Sequence, residues 1–303
     1  MRDESSRGQR ALHTDAERGD QPARDPSSLP RPNSRRPLPE AADGLPQPPP
    51  AFWRTIDDGL RALSLELTAG QRSAIDAHAR LLIAWSSAIN LTALRTPEQI
   101  ARTHVLDSLS ALPLLRRLGS RRLLDLGSGA GYPGLPLAVA LPAGDCGLVD
   151  SVRKKASFLE VASRAAAGAM DRAAERPPRF MTLAERAEDL ADEVEHRERW
   201  DAVLARAVGS LAEVVELGLP LVRLDGHVVA WKSDLGDGAL AAEIGAAGRM
   251  LQATGGSRPR VERPAGLSTI GLTGHVLVVV RKRRPTPDRY PRPPGERRRA
   301  QRA

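Results

Sequence analysis

The stretch that decides the fold runs from residue 123 to residue 134 and reads Leu123-Leu124-Asp125-Leu126-Gly127-Ser128-Gly129-Ala130-Gly131-Tyr132-Pro133-Gly134. It begins with a short apolar run of the kind that makes buried strands, and a glycine-rich turn follows at once. Glycines in such a turn let the chain bend tightly and let a ligand approach the backbone. Open α/β sheets bind ligands at the carboxyl ends of their strands, so this stretch predicts a ligand site at the end of a strand.

Short apolar runs alternate with helical stretches downstream of this turn. Further strands are predicted at residues 147–150, 179–183, 202–205, 227–231 and 275–280. Alternation of strands with helices implies βαβ units, which build a mostly parallel sheet with helices on both faces. The predicted fold class is therefore α/β, with a doubly wound, Rossmann-like sheet.

The region upstream of the turn has a helical pattern. Thr68 and Gln71 have the spacing of a capping box, in which each side chain satisfies a backbone N–H of the other residue. Apolar residues then recur at helical intervals between residues 75 and 89. We expect residues 52–119 to form a helical cap on the sheet, which is assigned to residues 120–282.

Both ends of the chain have a distinct composition. Ten of the 25 prolines but no Phe, Trp or Tyr lie in residues 1–50, so residues 1–51 are expected to form a disordered leader. Residues 281–303 hold ten Lys or Arg against two acidic residues, a net charge of +8 that equals the charge of the whole chain. We expect one folded domain at 52–282, followed by a flexible basic tail at 283–303 that attracts phosphate.

Composition excludes several classes of protein. No apolar run approaches the ~20 residues that span a bilayer, and the amino terminus lacks the apolar segment of a secretory signal. The single cysteine, Cys146, rules out an internal disulfide framework and a cysteine-based metal site. We expect a monomeric, metal-free protein of the cytoplasm.

The charge beside the glycine turn bears on the identity of the ligand. Residues 129–134 match the dinucleotide-binding fingerprint, and Asp150 follows about twenty residues later, where a ribose-binding carboxylate belongs. Asp125, however, would repel the pyrophosphate that such sites bind at a helix amino terminus. The same carboxylate suits S-adenosylmethionine, which carries an ammonium group and a sulfonium. This cofactor is therefore favoured over a nicotinamide.

Residues after later strands fit the same edge of the sheet. Ala187 and Glu188 follow the third strand, at the level of an adenine edge, and Arg206 follows the fourth. The polar-Pro-Pro-aromatic segment that serves methylation of exocyclic amines is missing there, and Cys146, in a strand, does not suit nucleophilic attack on a pyrimidine carbon. A ring nitrogen such as purine N7 needs neither that segment nor a cysteine nucleophile, because alignment of the nitrogen with the methyl donor supplies most of the catalysis.

Short motifs between residues 67 and 295 together resemble those of a known family. They are Trp85 with Asn90-Leu91-Thr92, His104-Val105-Leu106-Asp107-Ser108, residues 125–136, Asp150-Ser151, Arg186-Ala187-Glu188, Ala205-Arg206-Ala207-Val208, Lys232 and Arg289-Tyr290-Pro291-Arg292-Pro293. The family is that of the bacterial small-subunit (16S) ribosomal RNA guanine-N7 methyltransferases, historically called glucose-inhibited division protein B. The most specific part of the resemblance is Asn90-Leu91-Thr92 followed by the His-x-x-Asp-Ser motif at residues 104–108.

The resemblance implies a class I S-adenosylmethionine-dependent methyltransferase that acts on N7 of one guanine in the decoding-centre hairpin of 16S rRNA, with free rRNA or the small ribosomal subunit as partner. Together with the residues argued above, it implies a cofactor site of Asp125, Gly127, Gly129, Tyr132, Asp150, Ala187, Glu188 and Arg206. Candidates for an RNA-facing rim are Asn90, Asp107, Arg153 and Lys154. Candidates for a catalytic role are His104 and Lys232.

Two other functions remain open from the sequence. A nicotinamide-dependent oxidoreductase would share the sheet and the glycine turn, but Asp125 and the lack of an obvious acid/base set in the second half disfavour it. A non-catalytic RNA-binding or ribosome-assembly protein would keep both the fold and the basic tail. Binding of S-adenosylhomocysteine separates the first alternative from a methyltransferase, and turnover separates the second.

Overall fold

The computed structural model describes residues 37–86, 88–141, 144–173 and 175–300. Strands in these residues are β1 Arg122–Leu126, β2 Asp145–Val149, β3 Arg179–Leu183, β4 Trp200–Arg206, β5 Val222–Ser233, β6 Arg260–Glu262 and β7 His275–Arg281. The α-helices are α1 Pro50–Ala62, α2 Ala69–Trp85, α3 Pro97–Gln99, α4 Asp107–Leu109, α5 Leu112–Arg117, α6 Gly134–Ala140, α7 Arg153–Arg172, α8 Ala187–Asp192, α9 Leu211–Gly218, α10 Ala239–Ala246, α11 Gly248–Thr254 and α12 Pro294–Ala300. A π-helix, Ile100–Leu106, joins α3 to α4.

The strands form one sheet in the order β3-β2-β1-β4-β5-β7-β6. Strands β1 to β5 run parallel, and β7 runs antiparallel to both of its neighbours. The doubly wound, mostly parallel sheet predicted from the sequence is confirmed. The strand order reverses beside β1, so the carboxyl ends of β1 and β4 flank the crevice where such sheets bind ligands.

Apolar cores lie on both faces of the sheet. Successive residues of a strand point to opposite faces, so Leu123 belongs to the core under the cap and Leu124 to the core on the other face. On the cap side, α2 packs against α7, where the ring centroids of Trp85 and Phe158 lie 5.4 Å apart. The cap and the sheet therefore share one core.

The cap contains a capping box at the start of α2 and a π-helix after α3. The predicted capping box is confirmed, because Thr68 Oγ1 accepts from the Gln71 backbone N–H at 3.2 Å and Gln71 Oε1 accepts from the Thr68 N–H at 3.0 Å. The π-helix adds a residue to its turn, as such segments do near functional sites. It carries His104 and leads into Asp107, and both residues reach the end of β4.

The glycine turn is shaped by positive φ angles and close packing. Gly127 has a φ of +67°, and a Cβ atom there would lie 3.3 Å from Val208 Cγ2. A Cβ atom on Gly134, the first residue of α6, would lie 2.7 Å from the Cβ of Asp125. Side chains at these positions would therefore close the turn or push α6 away from β1.

The ends of the domain differ from the sequence expectation. Of the predicted leader, residues 1–36 lie outside the described residues, but Ala42 is buried and the carbonyl of Pro39 accepts from Trp85 Nε1 at 2.9 Å. Of the predicted flexible tail, residues 283–297 pack on the domain, where Thr286 and Arg297 are buried. Charge composition alone missed this, because it does not show that these basic residues form ion pairs with acidic residues elsewhere in the chain. No helix in the described residues is long and apolar enough to cross a membrane.

Candidate active site

Two adjoining cavities open at the carboxyl edge of the sheet, and both are lined by Gly127 and Ala207. The larger, of about 540 Å³, is called the aromatic cavity, and its wall includes His104, Asp107, Tyr132, Arg206, Trp231, Lys232 and His275. The smaller, of about 390 Å³, is called the acidic cavity, and its wall includes Asp150, Lys155, Glu185, Ala187, Glu188 and Arg297. Their volumes are typical of small-molecule sites. One elongated ligand can therefore pass from one cavity to the other across Gly127.

Asp125 lies beneath the glycine turn rather than in either cavity wall. Its Oδ2 accepts from the Gly134 backbone N–H at 2.9 Å, and the side chain is fully buried. Burial raises the pKa of this carboxyl from 3.8 to about 7, although the Gly134 amide and the Arg206 cation pull it down. The structure therefore places this predicted cofactor contact as a support that ties β1 to the start of α6.

Asp150 follows β2 and organises the turn from the side of the acidic cavity. Its Oδ2 accepts from the Gly129 N–H at 3.0 Å and its Oδ1 from the Val152 N–H at 2.9 Å. Lys155 Nζ lies 3.6 Å from the carboxylate. Each carboxylate oxygen has a second lone pair, so Asp150 can still accept from the two hydroxyls of a ribose.

Ala187 and Glu188, the residues predicted to bind an adenine edge, begin α8 and line the acidic cavity. The Glu188 carboxylate forms an ion pair with Arg297, which α12 brings to the cavity. The sequence analysis missed this residue because it lies 109 positions from Glu188. No local pattern could have found the pair.

Arg206 ends β4 and joins the sheet to the cap. Its guanidinium donates to the carbonyl of Thr103 at 2.8 Å, to Asp107 Oδ2 at 3.1 Å and to His104 Nδ1 at 3.1 Å. It also lies 5.8 Å from the centre of the Tyr132 ring. The structure thus brings Arg206 and Tyr132, both predicted cofactor contacts, into the aromatic cavity with three residues of the cap.

Three rings form a stack behind this cavity. The centroid of Tyr132 lies 4.6 Å from that of His78 on one side and 4.6 Å from that of His104 on the other. Burial lowers the pKa of His78 to about 4 and, together with the Arg206 cation, that of His104 to about 3. The Tyr132 hydroxyl is buried and has no hydrogen-bond partner in the described structure.

His104 holds a fixed tautomer. Arg206 has only donors, so His104 Nδ1 accepts and His104 Nε2 carries the proton that it donates to Thr92 Oγ1 at 2.7 Å. Both ring nitrogens are therefore engaged, and the low pKa keeps the ring neutral. The structure brings this catalytic candidate to the cavity but leaves it no nitrogen with which to take a proton.

Lys232, the other catalytic candidate, lies at the carboxyl end of β5. Its ammonium group donates to Glu243 Oε1 at 2.7 Å and to the carbonyl of Gly209 at 2.8 Å. It lines the aromatic cavity with its charge already paired. A role in orienting the loop after β4 fits these contacts better than proton transfer.

His275 and Trp231 are functional candidates that sequence reasoning missed. His275 Nδ1 lies 2.9 Å from Asp107 Oδ1, and the hydrogen bond to this carboxylate raises the pKa of His275. Trp231 Nε1 donates to the Asp107 carbonyl at 3.1 Å. His275 reaches the cavity because β7 returns antiparallel beside β5, a pairing that strand patterns do not reveal, whereas Trp231 lies near the carboxyl end of β5 itself.

The predicted RNA-facing residues do not form one cluster. Asp107 is only 2% exposed and is bound by Arg206, so it belongs to the inner wall of the cavity rather than to a rim. Asn90 is exposed and adjoins Leu91, which lines the aromatic cavity. Arg153 and Lys154 are exposed at the start of α7 but line neither cavity.

Comparison with known proteins bears on this site. The model of a sequence family described as rRNA small subunit methyltransferase G matches residues 71–250. A ribosomal RNA small subunit methyltransferase G from Desulforamulus reducens is 33% identical over 243 residues, which is 80% of this chain and 94% of the relative. A protein of the same name from Deinococcus radiodurans is 40% identical and covers 71% of this chain and 79% of its own. A solved O-methyltransferase from Bacillus cereus in complex with S-adenosylhomocysteine is similar with a TM-score of 0.47 and 16% identity, covering 75% of this chain and 97% of its own.

Proposed function

Because the chain belongs to the rRNA small subunit methyltransferase G family, we propose that it methylates N7 of a single guanine in the decoding-centre hairpin of 16S rRNA. The chain is an S-adenosylmethionine-dependent rRNA methyltransferase with a class I fold. Family membership sets aside the oxidoreductase and the non-catalytic alternatives. The acceptor atom, the hairpin, a monomeric state and a cytoplasmic location are parts of the proposal.

We place the cofactor across the two adjoining cavities. The acidic cavity would hold the adenosine, with Asp150 on the ribose hydroxyls and the start of α8 on the adenine edge. The aromatic cavity would hold the amino-acid half, where the guanidinium of Arg206 has N–H donors beyond its bonds to Thr103, Asp107 and His104 to offer to a carboxylate. When bound, S-adenosylmethionine supplies a methyl group electrophilic enough for direct attack by a neutral ring nitrogen.

The observation that carries the choice of a ring nitrogen is that, apart from Nε2 of His275, the titratable side chains of the aromatic cavity are paired, hydrogen-bonded or held neutral. Among its described titratable side chains, Asp107 is paired with Arg206 and His275, and Lys232 is paired with Glu243. The low pKa of His104 keeps it neutral, and burial raises the pKa of the Tyr132 hydroxyl so that it keeps its proton. An exocyclic amine must lose a proton during methylation, whereas the N7 lone pair has none to lose.

The wall also matches the edge that guanine presents beside N7. Guanine carries two acceptors on this edge, O6 and N7. The hydrogen bond to Asp107 raises the pKa of His275, and a protonated His275 presents an Nε2–H that can donate to O6. The same ring cannot donate to the exocyclic amine of an adenine at that position. His275 would therefore help to select guanine and to orient N7.

The test is methyl transfer from labelled S-adenosylmethionine to 16S rRNA, or to 30S subunits, from cells that lack this gene. We expect label at one guanine, with strand cleavage at that base after reduction and aniline treatment, which reports N7 methylation. The Gly127→Asp variant serves as a control that keeps the chain but fills the turn. Label at a base other than guanine, or at guanine without aniline-sensitive cleavage, would overturn the proposed acceptor atom. No transfer to either RNA, despite cofactor binding, would overturn the proposed substrate.

A further inference from the structure

The C-terminal strap, defined here as residues 283–297, is fixed to the domain by buried polar contacts. The carboxylate of Glu216, only 2% exposed, accepts from Arg292 Nε and Nη2 at 2.7 Å each. The guanidinium of Arg197 donates to the strap carbonyls of Thr286 at 3.1 Å and Tyr290 at 3.2 Å. Bidentate and multiple contacts of this kind hold a segment in one place. The position of the strap relative to the sheet is therefore set by the fold.

The last buried residue of the strap is an arginine in the wall of the acidic cavity. Arg297 lies in α12, is only 8% exposed, and forms an ion pair with Glu188 through one terminal nitrogen. Its Nε and Nη1 atoms are buried and have no hydrogen-bond partner in the described structure. The wall of the acidic cavity thus includes an arginine with two buried, unsatisfied N–H-bearing nitrogens, and this arginine is delivered by an element that is itself anchored.

Unsatisfied donors of this kind are costly, and a ligand can satisfy them. A buried donor without an acceptor costs free energy, more so when the group is charged. Adenine has ring-nitrogen acceptors next to its amino group, on the same edge of the base, and the amino group can donate to a carboxylate. A guanidinium can also stack on the face of an aromatic ring. Glu188 and Arg297 together make a donor and acceptor pair that matches an adenine edge.

We infer that Arg297 is an adenosine-binding residue and that the C-terminal strap closes the acidic cavity over the cofactor. The inference rests on the proposed placement of the cofactor, with adenosine in this cavity. It assigns the basic C-terminal segment a role in cofactor binding in addition to any attraction of RNA. It also accounts for the buried anchors of the strap, since an adenosine contact needs a fixed guanidinium.

The test compares Arg297→Ala with Arg299→Ala, a control in the same helix whose side chain is exposed. Calorimetry would measure the Kd of S-adenosylhomocysteine and of 5′-methylthioadenosine, which has the adenosine but lacks the amino acid. We expect Arg297→Ala to weaken both ligands by the same factor, about tenfold or more, because a charge-assisted hydrogen bond is lost. Arg297→Lys should recover part of the loss, and Arg299→Ala should leave both affinities within twofold of the wild type.

Hydrogen exchange on the wild-type protein gives a second measurement that does not depend on folding of the variant. We expect S-adenosylhomocysteine to slow amide exchange in α12. An unchanged Kd in Arg297→Ala, a loss confined to S-adenosylhomocysteine, or unaltered exchange in α12 would each overturn the inference. The proposed function is tested apart from it, because a wild-type protein that fails to methylate rRNA would refute that function whatever Arg297 contributes to binding of these two ligands.

Discussion

The Asp107→Asn substitution is expected to lower the free energy of unfolding by about 3 kcal/mol. The Asp107 carboxylate is 2% exposed and accepts from Arg206 Nη1 at 3.1 Å and from His275 Nδ1 at 2.9 Å. Asparagine keeps the shape but removes the charge, and its amide nitrogen would face one of the two donors. Hydrogen bonds to charged groups contribute about 1.5–3 kcal/mol each, and breaking a buried pair costs about 3–5 kcal/mol. Arg206 keeps its bonds to Thr103 and His104, so the lower part of this range is expected.

The loss should depend on pH in a defined direction. The hydrogen bond to Asp107 raises the pKa of His275 above its ordinary value of 6.5. A histidine whose pKa is higher in the folded state than in the unfolded state stabilises the fold when it is protonated. This contribution is fully present below the unfolded-state pKa and is lost as the pH rises through the folded-state pKa. The Asn variant lacks this contribution, so the difference between wild type and variant should be larger at pH 6 than at pH 8.5.

Urea unfolding of the cofactor-free protein, followed by tryptophan fluorescence at both pH values, measures these differences. Asp58→Asn is the matched control, because Asp58 forms an exposed pair with Arg61 and its loss should change the unfolding free energy by less than ~0.5 kcal/mol. A loss in Asp107→Asn below ~1 kcal/mol, or one that is equal at both pH values, would refute the reasoning about this buried pair.

Three further predictions concern the turn, the catalytic candidate and the outer surface. Gly127→Asp should abolish S-adenosylhomocysteine binding in calorimetry. Gly236→Asp is the control and should not abolish it, because Gly236 also has a positive φ, +79°, but has open space around it. Equal affinity in both variants would contradict the cavity assignment. Lys232→Met should lower the free energy of unfolding by about 1–3 kcal/mol, because the ion pair with Glu243 is lost. The shape of the pH–rate profile should not change. Loss of the alkaline limb of that profile would instead show that Lys232 acts as an acid or base. Replacing both Arg153 and Lys154 by Gln should flatten the salt dependence of RNA binding by a slope of about 1–2 without altering the Kd of S-adenosylhomocysteine, and an unchanged slope would remove both residues from the RNA interface.

The sequence predicted those features that depend on neighbours along the chain. A strand, a glycine turn and a helix are decided within about a dozen residues, and each leaves a local signature. The capping box at Thr68 and Gln71 is of the same kind, because both of its hydrogen bonds join residues three apart. The carboxyl ends of parallel strands meet at one edge, so Asp150, Ala187 and Arg206 could be assigned to one site before any distance was known.

The parts that the sequence could not predict depend on partners far apart in the chain. Asp107 was a candidate for an RNA-facing rim, but it is buried and bonded to Arg206 and His275, which lie 99 and 168 positions away. The family resemblance assigned Tyr132 to the cofactor site, while the rings that stack on it come from the cap. In each case the missing information is the antiparallel return of β7 or the approach of the cap, and neither has a local pattern.

The basic C-terminal segment shows why charge counting fails at a domain edge. The net charge of a segment predicts its attraction to a distant partner only where the charged residues have their counter-ions in solution. Arg292 and Arg297 have their counter-ions inside the fold, in Glu216 and Glu188, so their charges do not add to the outer field in proportion to their number. The salt dependence of RNA binding should therefore depend on exposed cations such as Arg153 and Lys154, while the buried cations of the strap should affect stability and cofactor affinity. The basic residues of the chain thus divide into two groups according to burial, which only the folded structure reveals.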